Sequence, residues 1–248
     1  MKDNGIYRRL CQNTQNGQKQ LAVLIDPDKV SSSRVHQLAA AAAAAGVDFI
    51  FVGGSLVMNN PTQQWIQIIK QQTNIPVILF PGSVFQVTEA ADAIFFLSLV
   101  SGRNPDLLIG QHVVAAPLLY HSALEVMPTA YLLIDGGKPT TVSYISNSTP
   151  IPADKPQIAV CTAMAAQMLG MKIIYLDAGS GALNAVSETM ITEVKQYCNL
   201  PLIVGGGIRT PQQAARLCHA GADLLVIGNA LETNPNLIFE MTKAIKEQ

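Results

Sequence analysis

The chain has 248 residues, of which 49% are hydrophobic and only 13% charged, with a net charge of -1 and a mean hydropathy of +0.26. A charged fraction near half the usual ~25% raises the question of a membrane protein, but no apolar run approaches the ~20 residues a spanning helix needs. The nearest candidate, 38–47, is mostly alanine, broken by Gly46 and followed by Asp48, and the absence of a basic tract with interleaved aromatics gives no reason to expect nucleic acid. The first twenty residues carry no apolar run ahead of a cleavage site, so a cytoplasmic protein without a transmembrane segment is expected. Cys11, Cys161, Cys198 and Cys218 lie far apart, and His36, His112, His121 and His219 form no pair at helical spacing. Neither zinc nor disulfides are expected, and the thiols read as buried and free.

Eight short apolar runs alternate with longer stretches that can be helical. LAVLI (21–25) ends in Asp26-Pro-Asp-Lys29 and precedes a helix over 33–45; FIFV (49–52) ends in Gly53-Gly-Ser55 and precedes a helix over 63–72. PVILF (76–80) ends in Pro81-Gly-Ser83, and the stretch behind it, 84–91, allows at most two turns. AIFFL (93–97) is followed by a helix over 104–116, and TAYLLI (129–134) by Asp135-Gly-Gly-Lys138 with its helix delayed to 156–169. KIIYL (172–176) ends in Asp177-Ala-Gly-Ser-Gly181 before a helix over 184–198. PLIV (201–204) ends in Gly205-Gly-Gly207 before 211–220, and DLLVI (223–227) in Gly228-Asn229 before 235–246. Pro156, Pro211 and Pro235 stand near helix starts, where a missing N–H costs little.

Continuous rather than alternating hydrophobicity suits strands buried on both faces, as in a parallel sheet wrapped by helices. Segments 46–56 and 221–231 also repeat one pattern: a capping glycine, a buried strand, then a glycine-rich turn. Eight such units predict a single (β/α)8 TIM barrel over residues 1–248, in preference to a doubly wound sheet. Its active site then belongs to the loops that follow the strands.

Three of those loops, after strands six, seven and eight, are glycine-rich, and consecutive glycines let backbone N–H groups approach an anion unobstructed. Across the mouth, Asp26 and Asp28 offer hard oxygen ligands, and Ser55 could add a hydroxyl. That sparse set suits Mg²⁺, which takes one or two carboxylates and completes its shell with phosphate oxygens; the alternative is that Asp26 only caps its turn or pairs with Lys29. Tyr175 and Asp177, two apart on one strand, share a face that points either toward the barrel axis or away from it. A carboxylate facing inward beside a phosphate is a candidate general base. Trp65 and the alanines of 39–45 read as outer-helix packing, while His112 and His121 suggest no role.

The segments LIDPDK, FVGGS, SLVSGRNPDLLIGQHV, DGGKPTTVSYISNSTPIP, YLDAGSGA, VGGGIRT and VIGNALE, in that order, resemble the geranylgeranylglyceryl phosphate synthase family from about Leu21 to Glu232. The likeness is greatest to its bacterial and archaeal branch with the longer middle segment. It implies Mg²⁺-dependent transfer of a prenyl group from a prenyl diphosphate, with geranylgeranyl diphosphate expected, to the 3-hydroxyl of sn-glycerol 1-phosphate. By position, Asp26 and Ser55 would ligand the metal. Tyr175, Leu176, Asp177, Ala178, Gly179, Ser180, Gly181, Gly206, Gly207, Gly228 and Asn229 would hold glycerol 1-phosphate, with Asp177 and Tyr175 catalytic. The sequence departs from the family pattern at Asp177, where Glu is usual, and at Leu24, where one branch has a phosphate-contacting Lys. The resemblance further implies a homo-oligomer, and a lipid product implies transient membrane contact. Two rival readings are another phosphate-gripping barrel, of histidine, tryptophan or thiamine biosynthesis, and an inactive barrel that only binds a phosphorylated ligand. The first would carry a second acid/base residue and no apolar groove.

Overall fold

Each of the eight apolar runs becomes a strand, and hydrogen bonding joins them in chain order into a closed parallel barrel in a computed structural model that describes residues 5–248. The strands are β1 Gln20–Ile25, β2 Phe49–Val52, β3 Val77–Leu79, β4 Ala93–Leu99, β5 Glu125–Leu133, β6 Ile173–Asp177, β7 Leu202–Gly205 and β8 Leu224–Ile227. Residues 1–4, which the expected domain includes, lie outside the described residues. Alternation along each strand divides the core into two layers: Phe49, Phe51, Phe95, Tyr131 and Tyr175 fill the barrel interior, whereas Ile50, Val52, Ile94, Leu132 and Ile174 pack outward under the helices. Both faces being covered, charges are confined to the strand ends, as at Glu125 of β5 and Asp177 of β6.

The helices are α1 Ile6–Gln15, α2 Ser32–Ala45, α3 Thr62–Gln72, α4 Gln111–His121, α5 Thr141–Ser146, α6 Pro156–Met168, α7 Glu188–Tyr197, α8 Pro211–His219, α9 Asn229–Thr233 and α10 Leu237–Lys246. Seven of them answer to the sequence expectation, with two shifts. The stretch expected as a helix over 104–116 is a π-helical turn, Asp106–Gly110, followed by α4, which continues through Pro117. The bond Pro117 cannot donate would go to the Val113 carbonyl, and Val113 is exposed, so water can take it. Helix α7 starts four residues late because Leu183 and Asn184 both donate to the Gly136 carbonyl, at 2.9 and 3.0 Å, and Ser187 caps the helix by accepting from Met190 N.

Helices α1, α5 and the short α9 were not expected. Ile6 and Leu10, one helical turn apart, insert into the interior layer beside Ala22, Phe49, Ile173 and Leu224, so α1 plugs the entry end of the barrel. Its first turn is held by Glu125, whose carboxylate accepts from Ile6 N and Tyr7 N, both at 2.9 Å. Behind β3 stands only a 3-10 turn, Val84–Gln86, so one flank of the barrel lacks a covering helix.

The internal repeat has a structural reason. Asp48 stands one residue before β2 and Asp223 one before β8; each carboxylate accepts the N–H that starts the neighbouring strand, Leu21 N or Leu202 N, at 2.8 Å. Each also binds a helix lysine, Lys246 to Asp48 and Lys195 to Asp223, at 2.6 Å. Asp92, before β4, repeats the device with Val77 N at 2.9 Å and Lys70 at 2.6 Å.

Candidate active site

The exit ends of the strands surround a cavity of about 730 Å³. Its polar end is lined by Asp26, Ser55, Asp177, Ser180, Gly206 and Asn229; its apolar end by Phe80, Val87, Ile94, Phe96, Leu119 and Val142. Ile94 and Phe96 belong to the outer layer and Phe95 to the interior. The cavity therefore passes from the barrel mouth out through the flank where β3 lacks a helix, and α4 forms its far wall with Ala115 and Leu119. A volume of this size lies in the upper part of the ~300–1,000 Å³ typical of small-molecule sites.

Tyr175 and Asp177 point inward, which settles the face left open by their spacing. Asp177 accepts from Tyr131 Oη and from Gly179 N, both at 2.7 Å. Burial raises its pKa above the ordinary carboxylate range, and these two hydrogen bonds partly oppose the rise. Burial and then the nearby Asp177 charge push both Tyr131 and Tyr175 well above the usual phenol value, so both hydroxyls stay protonated. Tyr175 stacks on Phe80 with ring centroids 5.2 Å apart, and Phe95 meets it edge-on at 6.4 Å.

The glycine loops are shaped by close approach. At Gly206, φ is +82°, and a Cβ would stand 2.7 Å from both Asp177 Oδ1 and Gly179 N; at Gly207, φ is +69°, and a Cβ would meet the Asn184 backbone at 2.6 Å. No other residue fits either position. Asn229 ties two of the loops together, its Oδ1 accepting from Ser180 Oγ at 2.9 Å and Gly181 N at 3.2 Å. Arg209 reinforces them from behind, donating to Leu183 O at 2.7 Å and to Ala182 O. Leu176 and Ala178 are placed differently from their neighbours: both side chains pack in the layer between barrel and helices, leaving only backbone to contribute.

On the opposite side, Asp26 Oδ2 is 2.8 Å from Lys29 Nζ, and Oδ1 accepts from Asp28 N at 3.2 Å. Ser55 lines the same cavity; at the preceding Gly54 a Cβ would lie 3.2 Å from Asp26 Oδ1, so that backbone runs beside the carboxylate. Asp28 is engaged elsewhere, accepting from Met58 N and Asn59 N to hold the loop after β2. Glu232, on α9, faces the same end; burial raises its pKa, Lys29 lowers it and the Asp26 charge raises it again. Among the described residues no three His, Cys, Asp or Glu side chains form a metal cage.

Several supporting residues escaped the sequence reading. Tyr131 is a mid-strand tyrosine whose partner lies 46 residues away. Gln86 is buried and brackets the Gly54 peptide, donating to its carbonyl at 2.9 Å and accepting from its N–H at 3.3 Å. Trp65 is buried as expected, but its Nε1 also donates to Pro27 O at 3.0 Å, buttressing the Asp26 loop. His112 lines the cavity, with Nε2 3.0 Å from Ser98 Oγ and its ring edge-on to Phe96. The expected burial of all four thiols is corrected: Cys198 and Cys218 are buried, Cys161 is exposed and Cys11 half-buried, because the latter two lie on the outer sides of α6 and α1.

The fold and site define a TIM barrel whose exit face joins a glycine-lined polar pocket to an apolar groove. The sequence profile of the PcrB family matches residues 15–248. The geranylgeranylglyceryl phosphate synthase of Chitinophaga pinensis is 54% identical over 242 residues, covering 98% of this chain and 96% of that protein. The synthase of the archaeon Korarchaeum cryptofilum is 42% identical over 229 residues, covering 91% and 94%. The crystal structure of (S)-3-O-geranylgeranylglyceryl phosphate synthase from Thermoplasma acidophilum, in complex with its substrate sn-glycerol 1-phosphate, superposes with a TM-score of 0.93 at 37% identity, covering 98% of each chain. The chain belongs to the PcrB family, that of the geranylgeranylglyceryl phosphate synthases, and is a prenyltransferase. Among the described residues no helix is long and apolar enough to cross a membrane.

Proposed function

We propose that this chain joins geranylgeranyl diphosphate to the 3-hydroxyl of sn-glycerol 1-phosphate, with Mg²⁺, releasing diphosphate. The observation that carries the reading is the two-ended cavity, in which glycine loops and two carboxylates meet a groove of Phe80, Ile94, Phe96 and Leu119. An acid/base enzyme for small polar phosphates has no use for such a groove. Glycerol 1-phosphate sits between the loops 179–181 and 206–207, with Gly228 and Asn229 closing the pocket.

The residues present suit a divalent cation. Asp26 is a hard-oxygen ligand beside the Ser55 hydroxyl, and Glu232 lies close enough to feel the Asp26 charge, so two carboxylates and a hydroxyl share that end of the cavity with Lys29. When bound, Mg²⁺ would neutralise charge growing on the departing diphosphate. The allylic C–O bond breaks with its electron pair leaving on diphosphate, and the glycerol oxygen forms the new ether bond to that carbon. Asp177 accepts the hydroxyl proton; burial raises its proton affinity, and Tyr131 and Gly179 hold it in place. Phe80, stacked on Tyr175, lines the cavity where the polar pocket meets the apolar groove, the place where allylic positive charge would develop. Most of the rate then comes from positioning and electrostatics.

The test is incubation of the purified protein with labelled sn-glycerol 1-phosphate and C15, C20 and C35 prenyl diphosphates in competition. An organic-extractable, Mg²⁺-dependent product carrying the C20 chain is expected; no extractable product, or equal use of sn-glycerol 3-phosphate, sinks the reading. We also read the apolar outer face of α4, with Val113, Val114, Leu118 and Tyr120 exposed, as a contact between copies, which light scattering of the purified protein decides.

A further inference from the structure

Among the described residues the cavity wall carries two cationic side chains, Lys29 and Arg209. A third, Lys138, stands at the rim, with Nζ 3.9 Å from where a Cβ on Gly181 would lie. Arg209 is committed to the carbonyls of Leu183 and Ala182. Lys29 is not fixed in that way. Its side chain is 43% exposed, and its ammonium lies 2.8 Å from Asp26 Oδ2 and 3.2 Å from Ser180 Oγ.

That ammonium joins two groups with different duties. Asp26 belongs to the metal and diphosphate end, whereas Ser180 belongs to the loop assigned to glycerol phosphate. The chain of contacts continues from Ser180 Oγ to Asn229 Oδ1 at 2.9 Å and from Asn229 Nδ2 to Glu232 Oε2 at 3.2 Å, so the loops after β1, β6 and β8 form one network. Its junction is a flexible four-carbon stem ending in three rotatable donors.

A divalent cation ligated by Asp26 competes with the ammonium for that carboxylate and, being doubly charged, repels it at close range. Released, the ammonium already stands within hydrogen-bond reach of the phosphate loop. We propose that Lys29 is a positioning residue that couples the two halves of the cavity: a divalent cation with diphosphate at Asp26 displaces its ammonium toward the phosphate held at Ser180 and Gly181, so each ligand tightens the other. This rests on the functional reading above. Linkage requires the factor to be the same in both directions.

The experiment is calorimetric titration of the full chain with sn-glycerol 1-phosphate, with and without saturating Mg²⁺ and inorganic diphosphate. Wild type should bind at least about fivefold tighter with both present, the lower end of ordinary coupling. The ratio should fall close to one in Lys29→Met and be largely kept in Lys29→Arg, with melting temperatures close to wild type because a half-exposed ion pair contributes little stability. A wild-type affinity indifferent to Mg²⁺ and diphosphate, or a Lys29→Met variant that keeps the full ratio, overturns the coupling while leaving the substrate assignment intact. Wild type that binds no sn-glycerol 1-phosphate in either condition removes the functional reading, and the coupling with it.

Discussion

Asp48, Asp92 and Asp223 at the entry end of the strands and Asp26 and Asp177 at the exit end are the same side chain in opposite circumstances. Each entry-end carboxylate is saturated, by a strand N–H and by a lysine at 2.6 Å. At the exit end, among the described residues, Asp177 has a tyrosine and one amide to offset its burial, and Asp26 shares a lysine with Ser180. The glycines divide similarly. Gly46, which caps α2, has open space where a Cβ would go, whereas Gly206 and Gly207 are closed in by polar atoms and backbone. One end spends its polar groups on joining strands to helices; the other keeps capacity for ligands, as the division of labour in this fold requires.

Substitutions should therefore split cleanly between activity and stability. Asp26→Ala should lose about a thousandfold in kcat, ~4 kcal/mol of transition-state stabilisation, while retaining its melting temperature and metal-free binding of sn-glycerol 1-phosphate; wild-type turnover in steady-state assays would refute the metal assignment. Gly206→Ala, which drives a methyl against Asp177 and Gly179 N, should raise KM for glycerol 1-phosphate by about 100-fold, ~2.7 kcal/mol. An unchanged KM would place the phosphate elsewhere.

At the entry end, Asp223→Ala should lower unfolding free energy by ~2–3 kcal/mol in urea titrations, since it strands the Leu202 N–H and the Lys195 ammonium. Its kcat/KM should match wild type per folded molecule; a selective loss of activity would blur the division between the ends. The smallest effect belongs to Tyr131→Phe, about tenfold or ~1.4 kcal/mol at neutral pH. A base must be deprotonated, so activity is present above the raised Asp177 pKa and lost as pH falls through it. The Tyr131 bond lowers that pKa, so removing it should move the acid limb of kcat/KM to higher pH. An unmoved limb would mean that Asp177 is not the titrating base.

The barrel was legible because its signal is local. Eight apolar runs, charged only at the first residue of two of them and each closed by glycine, aspartate, serine or proline, leave few alternatives when both strand faces are buried, and most boundaries fell within a residue or two. What was missed is instructive. Helix α1 has only Ile6 and Leu10 to announce it, one pair at helical spacing in a polar segment, and it is stable because the barrel floor receives them. The π-turn and the passage through Pro117 likewise depend on packing and solvent that no local pattern reports.

The site divides along the same line. Asp26, Ser55, Asp177 and the glycines follow strands, so strand order alone places them at one end. That Tyr175 faces inward, that Tyr131 lies directly across the sheet from it, and that Lys29 spans from Asp26 to Ser180 required the register β5 keeps with β6 and the closure of β1 on β8. Period and turn chemistry act over a few neighbours, so the local pattern was enough to mark the buried runs, the tight turns and the carboxylates that follow them. Only the closed barrel decided which loop ends meet and which flank stays open, because shear and closure belong to all eight strands at once.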